Sequence, residues 1–239
     1  MRYRLNIRLF VITFLFVFLT TFYLFGRVYW YPVYLNALGA RTVADVIVQY
    51  GDESRSILKP KFESLGLSYP PKKVTFLAVK DSSQMEVWAT DDEQWHQVTD
   101  YAVKAASGVS GPKLREGDRQ VPEGLYQVIG LNPNSSYHLS MKLNYPNPFD
   151  LKWARTENRN QPGSDIFIHG KAVSIGCLAM GDEAIEQLFT LVADVGKQNV
   201  QVIIAPTDPR KGPMTPPDGS PVWVTELYQN IAAGFAIYQ

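Results

Sequence analysis

The sequence predicts a mainly β domain with flanking helices, folded as a sandwich or barrel and preceded by one transmembrane helix. Short apolar runs rich in Val, Trp, Phe and Tyr alternate with polar turns from residue 73 to residue 143. Two segments with apolar residues at helical spacing follow near the C-terminus. A long uncharged apolar stretch stands near the N-terminus, and it predicts the membrane span.

The N-terminal segment has the composition of a membrane anchor. Arg2, Arg4 and Arg8 precede Leu9–Gly26, about 18 residues without a charge, which Arg27 closes. As a helix this stretch is about 27 Å long, close to the hydrocarbon core of a bilayer. Aromatic residues occupy the place where a cleavage site needs small ones, so an uncleaved anchor is favoured over a cleaved signal peptide, which stays the alternative. The basic end predicts a single-pass inner-membrane protein with its remaining chain in the periplasm.

The charge balance and the cysteine count exclude several classes of protein. The 23 Lys and Arg residues match 23 Asp and Glu residues, and the pI near 6.8 gives no basic surface for nucleic acid. Without the four N-terminal arginines, the exported part has 19 basic against 23 acidic residues. A single cysteine, Cys177, excludes an intramolecular disulfide and a zinc site built on several thiolates.

We expect three regions along the chain. Residues 1–30 form the cytoplasmic tip and the anchor, residues 31–72 a helical membrane-proximal region, and residues 73–239 a single globular domain. Apolar residues between Arg41 and Leu65 predict two short helices, the second around Pro60.

The last region is predicted to contain seven strands and two helices. The strands are expected at Val74–Val79, Met85–Ala89, Trp95–Val103, Leu125–Ile129, Tyr137–Leu143, Ile166–His169 and Val200–Ala205. Gly108–Gly124 is too long for an ordinary hairpin turn and is expected to be a loop. One helix is predicted from an N-cap at Asp182 to Gly196, and another over Val222–Ala236.

The segment from Ile166 to Met180 contains the residues with catalytic potential. A strand ends at His169, and Cys177 follows eight residues later, directly after Gly176 and just before a predicted helix. A thiolate is a strong nucleophile, an imidazole can remove the thiol proton, and a helix N-terminus favours the anion. Taken singly, a lone Cys is more often a small buried hydrophobe and a His at a strand end a structural hydrogen bonder. Together they predict a cysteine nucleophile, since a free thiol exposed to the periplasm is at risk of oxidation.

These residues resemble the signature of a known family. His169-Gly170 followed by Ser174-Ile175-Gly176-Cys177 is similar to the motif of L,D-transpeptidase (YkuD-type) catalytic domains. Tyr145-Pro146-Asn147 and the segment after Cys177 resemble the YafK-like branch of that family. The resemblance covers roughly residues 73–206, and it implies a YkuD-like β-sandwich or barrel.

The resemblance implies cysteine-dependent acyl transfer on peptidoglycan stem peptides. Cys177 would form a thioester, His169 would be the base, and the amides of Gly176 and Cys177 would stabilise the oxyanion. An amine acceptor would complete a cross-link or attach a protein, so a wall-attached lipoprotein is a candidate partner. No cofactor or metal is implied, and no nucleic acid is an expected partner.

Several further residues are candidates for substrate binding. They are His138, Tyr145, Asn147, Arg155, Gly170 and Ser174. Two positions depart from the family pattern, because Ile175 replaces a His or Arg and Ala179 replaces an Arg. Lys152, Arg155, Lys171 or the basic loop Lys113–Arg119 are the candidates for the missing carboxylate-binding cation.

Three alternatives remain at this point. Water could replace the amine acceptor, which would give an amidase or L,D-carboxypeptidase that cleaves diaminopimelate-linked bonds or releases wall-attached protein. A catalytically inactive wall-binding module would instead bury an unreactive Cys177. A metal site on His138, His169 and Cys177 is disfavoured, because the sequence has no compact ligand cluster.

Overall fold

The computed structural model describes residues 2–239, and the side chains of these except residues 2–7, 28 and 38. Met1 and the side chains of Arg2 and Arg4, part of the predicted basic tip, lie outside the described residues. The chain divides into two compact units, one ending at Arg41 and the other comprising Thr42–Gln239.

The first unit contains two helices, α1 (Arg2–Phe25) and α2 (Arg27–Leu38). Within α1, Arg8–Phe25 has a mean hydropathy of 2.1 and enough length to cross a membrane. A signal sequence has the same length and composition, so this helix fits either an anchor or a signal.

The second unit is built on one sheet of nine strands in the described residues. The strands are β1 (Lys73–Val79), β2 (Gln84–Thr90), β3 (His96–Ala102), β4 (Ala105–Ala106), β5 (Gly124–Asn132), β6 (Ser140–Leu143), β7 (Phe167–His169), β8 (Leu178–Ala179) and β9 (Val200–Ala205). Their order across the sheet is β3-β2-β1-β9-β5-β6-β7-β8-β4. Neighbours are antiparallel except for β1 with β9 and β7 with β8, which are parallel. The predicted mainly β architecture with flanking helices is confirmed.

Helices cover both faces of this sheet. They are α3 (Val43–Glu63), α4 (Pro148–Thr156), α5 (Asp182–Val195), a short 3₁₀ helix (Lys197–Asn199) and α6 (Val224–Phe235). Along β1, Phe76 joins the buried cluster under α3 and α5, whereas Leu77 joins the buried cluster under α6. Because successive side chains of a strand point to opposite faces, the central strands are buried on both sides.

The two short helices predicted between Arg41 and Leu65 are a single helix, α3. Thr42 caps its start through a reciprocal box with Asp45. Pro60 lies in its last turn, where the missing N–H removes one helical hydrogen bond, and burial of Leu58 and Phe62 keeps the helix on the sheet. The predicted division at residues 30 and 72 stays a prediction, while α3 belongs to the same compact unit as the sheet.

Three other local predictions were wrong. Helix α4 was not predicted, although Asn147 and Asp150 form a capping box with Pro148 at the first helical position. The strand expected over Tyr137–Leu143 begins only at Ser140. Asp182 is the first residue of α5, and Gly181 is the N-cap, because the Asp182 carboxylate binds the amide and ammonium of Lys171.

Candidate active site

The parallel pair β7–β8 brings the predicted base and nucleophile to one face of the sheet. Ile168 pairs with Leu178 and His169 with Ala179, so Cys177, directly before β8, lies opposite Phe167. Side chains two residues apart on a strand share a face, which places His169 and Cys177 on the same side. From the strand spacing and rise, their Cα atoms are diagonal neighbours about 8 Å apart.

The imidazole of His169 is held as a neutral base. The residue is 3% exposed, and its Nδ1 donates to the carbonyl of Gly170 at 2.6 Å. Because a carbonyl oxygen only accepts, the neutral ring has its free lone pair on Nε2. The ring of Tyr137 lies against it, with 4.7 Å between the ring centroids. Burial lowers the pKa of His169, so the imidazole is neutral at pH 7 and available as a base.

Cys177 is a partly exposed thiol that is mostly protonated at rest. Its Sγ lies 3.9 Å from the carbonyl oxygen of Asp165. Burial raises the pKa of the thiol, while the Phe167 backbone and the charge of Lys113 lower it and the Asp165 charge raises it. Since burial is the largest of these effects, an attack by this sulfur would require a base to remove the thiol proton.

The loop before the cysteine is closed by Ser174. Its Oγ accepts from the amides of Gly176 and Cys177, at 3.3 and 3.1 Å, and donates to the carbonyl of Cys177 at 2.6 Å. Gly176 has φ of +124°, a conformation that residues with a Cβ rarely adopt. The two predicted oxyanion donors are therefore engaged by Ser174, and their role as oxyanion donors stays a prediction that requires this hydroxyl to move. Ser174 thus closes the loop, and its predicted substrate contact stays a prediction.

Glycine is required at position 170 because two other segments of the chain approach its Cα closely. A Cβ at this position would lie 2.7 Å from the carbonyl oxygen of Tyr137 and 2.8 Å from Oδ1 of Asp182. Its amide donates to the carbonyl of Leu139. Gly170 therefore positions the end of β7, and with it His169, by lacking a side chain.

The 107–123 loop packs beside the cysteine and is extensively hydrogen bonded. Asp118 accepts from the amides of Leu114, Arg115 and Gln120 and from the ammonium of Lys113. The backbone of Gln120 borders Gly176, because a Cβ on that glycine would lie 3.5 Å from the Gln120 carbonyl oxygen. The loop therefore forms one wall of the site.

Three of the predicted substrate contacts are occupied by structural bonds. Tyr145 is 4% exposed and donates from Oη to the carbonyl of Pro162 at 2.8 Å. Asn147 caps α4 and donates from Nδ2 to the carbonyl of Leu125 at 2.9 Å. His138 pairs with Glu186 of α5 at 2.6 Å and stands edge-on to the ring of Tyr50. The predicted substrate roles of these three residues stay predictions, and the polar groups of Tyr145 and Asn147 also hold the fold together.

The proposed replacement cations differ in what they bind. Lys113 pairs with Asp118, Lys152 with Glu226 and Lys171 with Asp182. Arg155 lies on the exposed side of α4. Arg115 and Arg119 are exposed on the 107–123 loop. The structure therefore leaves the predicted roles of these cations in substrate binding as predictions.

Two clefts share residues with the segments named above, and neither is lined by His169 or Cys177. One, of about 970 Å³, lies between the 107–123 loop, residues 159–161 and residues 217–221. The other, of about 650 Å³, is lined by Tyr101, Lys104, Lys171 and the first turn of α5. Over the part of the chain that the structure describes, no group of three or more His, Cys, Asp and Glu side chains is arranged to hold a metal ion.

Residues 75–224 match the family model of the YkuD L,D-transpeptidase catalytic domain. The chain belongs to this family. The match runs from Thr75 in β1 to Val224, the first residue of α6, and therefore includes both His169 and Cys177. Sequence reasoning identified this pair, whereas it missed Tyr137 against the imidazole and the role of Gln120 beside Gly176. The Gly117-Asp118 turn in the basic loop was the available signal for an ordered wall.

The similarity to known proteins covers only part of the chain. A stretch of 132 residues is 33% identical to the “Putative L,D-transpeptidase YafK” of Escherichia coli strain K12. This stretch is 53% of the present chain and 51% of the relative. The protein of the same name from strain O157:H7 gives the same values. The chain thus spans about half the length of the curated relatives it matches.

Two solved structures are also similar to parts of the chain. The helical cell shape determining protein Pgp2 of Campylobacter jejuni is 22% identical over 57% of this chain and 48% of its own, with a TM-score of 0.47. Bd1075 of Bdellovibrio bacteriovorus is 20% identical over 59% of this chain and 50% of its own, with a TM-score of 0.42.

Proposed function

We propose that this protein is a cysteine acyltransferase that acts on peptidoglycan stem peptides during cell-wall remodelling. Support comes from the neutral His169 and the protonated Cys177 on one face of the parallel pair β7–β8. Membership in the L,D-transpeptidase family supports the substrate class. The apolar helix at the N-terminus supports a single-pass anchor in the inner membrane, with the catalytic unit in the periplasm.

The reaction proceeds in two acyl transfers. His169 Nε2 removes the thiol proton as Cys177 Sγ attacks the carbonyl carbon before a terminal D-amino acid. The C–N bond then breaks, the imidazolium returns its proton to the leaving amine, and the acyl group remains on sulfur as a thioester. An acceptor amine attacks the thioester, loses a proton to His169, and releases the thiol with a new amide bond.

Water as the second acceptor would make the same site a hydrolase. The missing cationic side chains at Ile175 and Ala179 favour this second candidate, because the family uses cations there and their loss changes how substrate is held. A wall-attached lipoprotein remains the candidate protein partner, attached by transfer or released by hydrolysis.

The mass of the protein after incubation with a disaccharide tetrapeptide tests the proposal. We expect an adduct that equals the substrate minus its terminal D-amino acid, and no adduct with Cys177→Ser. The Ser variant should keep its thermal midpoint within about 2 °C, because the change is small and lies outside the packed core. Absence of an adduct on the folded wild-type protein would contradict the proposal and favour an inactive wall-binding module.

The released products then distinguish the acceptors. A cross-linked dimer or an exchanged terminal residue indicates transfer, whereas a free carboxylic acid as the only product indicates hydrolysis. Addition of an amine such as glycine or a D-amino acid should divert the thioester to an amide only if transfer is possible.

A further inference from the structure

Lys113 is a buried lysine that the reaction scheme above does not use. Its side chain is 4% exposed, and its Nζ donates to Oδ1 of Asp118 at 2.5 Å and to the carbonyl of Arg115 at 3.0 Å. Removing an ammonium from water is costly, so a buried lysine needs such partners to stay charged. The cation is therefore fixed inside the wall of the site.

The same short segment of chain contacts both this ammonium and the thiol. A Cβ on Gly163 would lie 2.5 Å from Cε of Lys113 and 3.3 Å from its Nζ. Two residues later, the carbonyl oxygen of Asp165 is 3.9 Å from Sγ of Cys177. Tyr145 fixes the segment by donating from Oη to the carbonyl of Pro162. Lys113 and Cys177 are thus held against one restrained stretch, residues 162–165.

We propose that the fixed positive charge of Lys113 stabilises the thiolate of Cys177, and that the carboxylate of Asp165 has the opposite effect. The inference rests on the proposed function only in that Cys177 is the nucleophile. Lys113 acts through the sulfur and needs no contact with substrate. It partly offsets the free-energy cost of forming a thiolate in a buried site. A neighbouring cationic side chain or a helix N-terminus has this effect at other reactive cysteines.

The charges around the sulfur come from several segments. Lys113 lowers the pKa of the thiol and Asp165 raises it, against the larger effect of burial. Asp165 is itself paired with Lys142 of β6 at 2.6 Å. Asp118 pairs with the ammonium, and the carboxylate of Glu116 lies near Gly163. His169 is the remaining titratable neighbour on the shared face, and it is neutral above its lowered pKa.

The pH dependence of alkylation measures this effect directly, because the chain has one cysteine. The full-length protein in detergent is treated with iodoacetamide between pH 5 and pH 10, and the rate is followed by intact mass. For Lys113→Met we expect a higher apparent pKa and a rate about 3- to 10-fold lower at pH 7.5, since a shift of one unit changes the thiolate fraction tenfold. Lys113→Arg keeps the charge and should stay near the wild-type profile.

Two further variants keep the test decisive. Asp165→Asn should lower the apparent pKa, and it should fold normally because Asn tolerates the φ of +54° at this exposed site. Lys61→Met is the control for loss of a lysine charge elsewhere, since Lys61 of α3 donates from Nζ to Oγ1 of Thr99 on β3. It should leave the alkylation profile unchanged.

An unchanged profile in folded Lys113→Met, or an equal shift in Lys61→Met, would overturn the inference. If Lys113→Met does not fold, an unshifted profile in Asp165→Asn or a raised pKa in Lys113→Arg overturns it instead. The alkylation measurement needs no substrate, so its outcome does not depend on the thioester experiment. If no thioester adduct forms but the alkylation profiles shift as expected, the proposed function is rejected and the inference about Lys113 stands.

Discussion

At the residue scale, the site depends on a histidine and a cysteine whose charges are both suppressed by burial. With a neutral imidazole and a neutral thiol, the proposed attack would be accompanied by proton transfer, because little thiolate forms beforehand. The Gly170 carbonyl binds Nδ1 and leaves Nε2 as the ring nitrogen that can accept a proton.

This arrangement predicts how acylation depends on pH. The rate of thioester formation should rise as His169 loses its proton, with a midpoint below about 6.5, because burial lowers its pKa. With His169→Ala we expect a rate at least about 100-fold lower at pH 7 that rises toward alkaline pH as the thiolate forms. Rapid-quench measurement of the adduct from pH 4.5 to pH 10 checks both profiles. A wild-type midpoint above pH 7.5 would contradict a buried neutral base.

Gly170 gives a second prediction at this scale. Gly170→Ala forces a Cβ against the Tyr137 carbonyl and the Asp182 carboxylate, so we expect a loss of about 1–3 kcal/mol in unfolding free energy and a displaced His169. Urea unfolding and the acylation rate measure the two effects. Gly212→Ala is the matched control, since its Cβ meets nothing within 4 Å, and it should be near neutral. Equal stability of the two variants would show that the end of β7 adapts freely.

At the scale of elements, α4 begins with a carboxylate in an unfavourable environment. Asp150 accepts from the amide of Asn147 at 2.9 Å, yet burial raises its pKa to about 6. An unfolded Asp has a pKa near 3.9, so the folded protein binds the extra proton between about pH 4 and pH 6. The contribution of Asp150 to stability therefore falls as pH rises through this window.

Replacing this carboxylate should stabilise the protein at neutral pH. Asp150→Asn keeps an oxygen that can accept from the Asn147 amide and removes the buried charge. Relative to wild type we expect a gain of at most about 3 kcal/mol at pH 7.5 that shrinks to below about 1 kcal/mol near pH 4. Thermal unfolding of both proteins across this range checks the difference. A difference that does not vary with pH would mean that Asp150 titrates normally.

At the scale of the whole molecule, the second compact unit contains its own core. Its two buried clusters draw on residues from Val46 to Tyr238, on both faces of the sheet. Arg55 of α3 makes a two-pronged ion pair with Asp194 of α5, at 2.9 and 2.7 Å, which joins the first helix of the unit to its centre. The unit thus needs α3 as well as the strands.

We predict that residues 42–239 fold without the first 41. The truncated protein should be soluble, unfold within about 2 °C of the full-length protein in mild detergent, and alkylate Cys177 at the same rate, because its core is self-contained. A second truncation that starts at residue 73 removes α3 and should lower the midpoint by more than about 10 °C or aggregate, since it exposes the apolar surface under Leu58 and Phe62. Equal stability of the two truncations would show that α3 is dispensable.

The success of sequence reasoning varied with the range of the interaction involved. The strands from Val74 to Ala89 and Val200–Ala205 were predictable because apolar runs and turn residues are local signals. The parallel β7–β8 pair was not, because Leu178–Ala179 is too short to show a pattern of its own. The bonds of Tyr145 to Pro162 and of Asn147 to Leu125 were not predictable either, because the sequence does not show which distant backbone carbonyls these side chains meet.

The sequence by itself determined the chemistry that is available: one thiol, one histidine followed by glycine, an apolar helix at the N-terminus, and the family to which the motif belongs. The tertiary structure decided how those groups are used. It selected Nε2 of His169 as the basic nitrogen, engaged the Gly176 and Cys177 amides with Ser174, and placed Lys113 beside the 162–165 segment. The reason is physical: spacing along the chain encodes periodicity and reactivity, whereas hydrogen-bond partners and local charge depend on segments that only packing brings together.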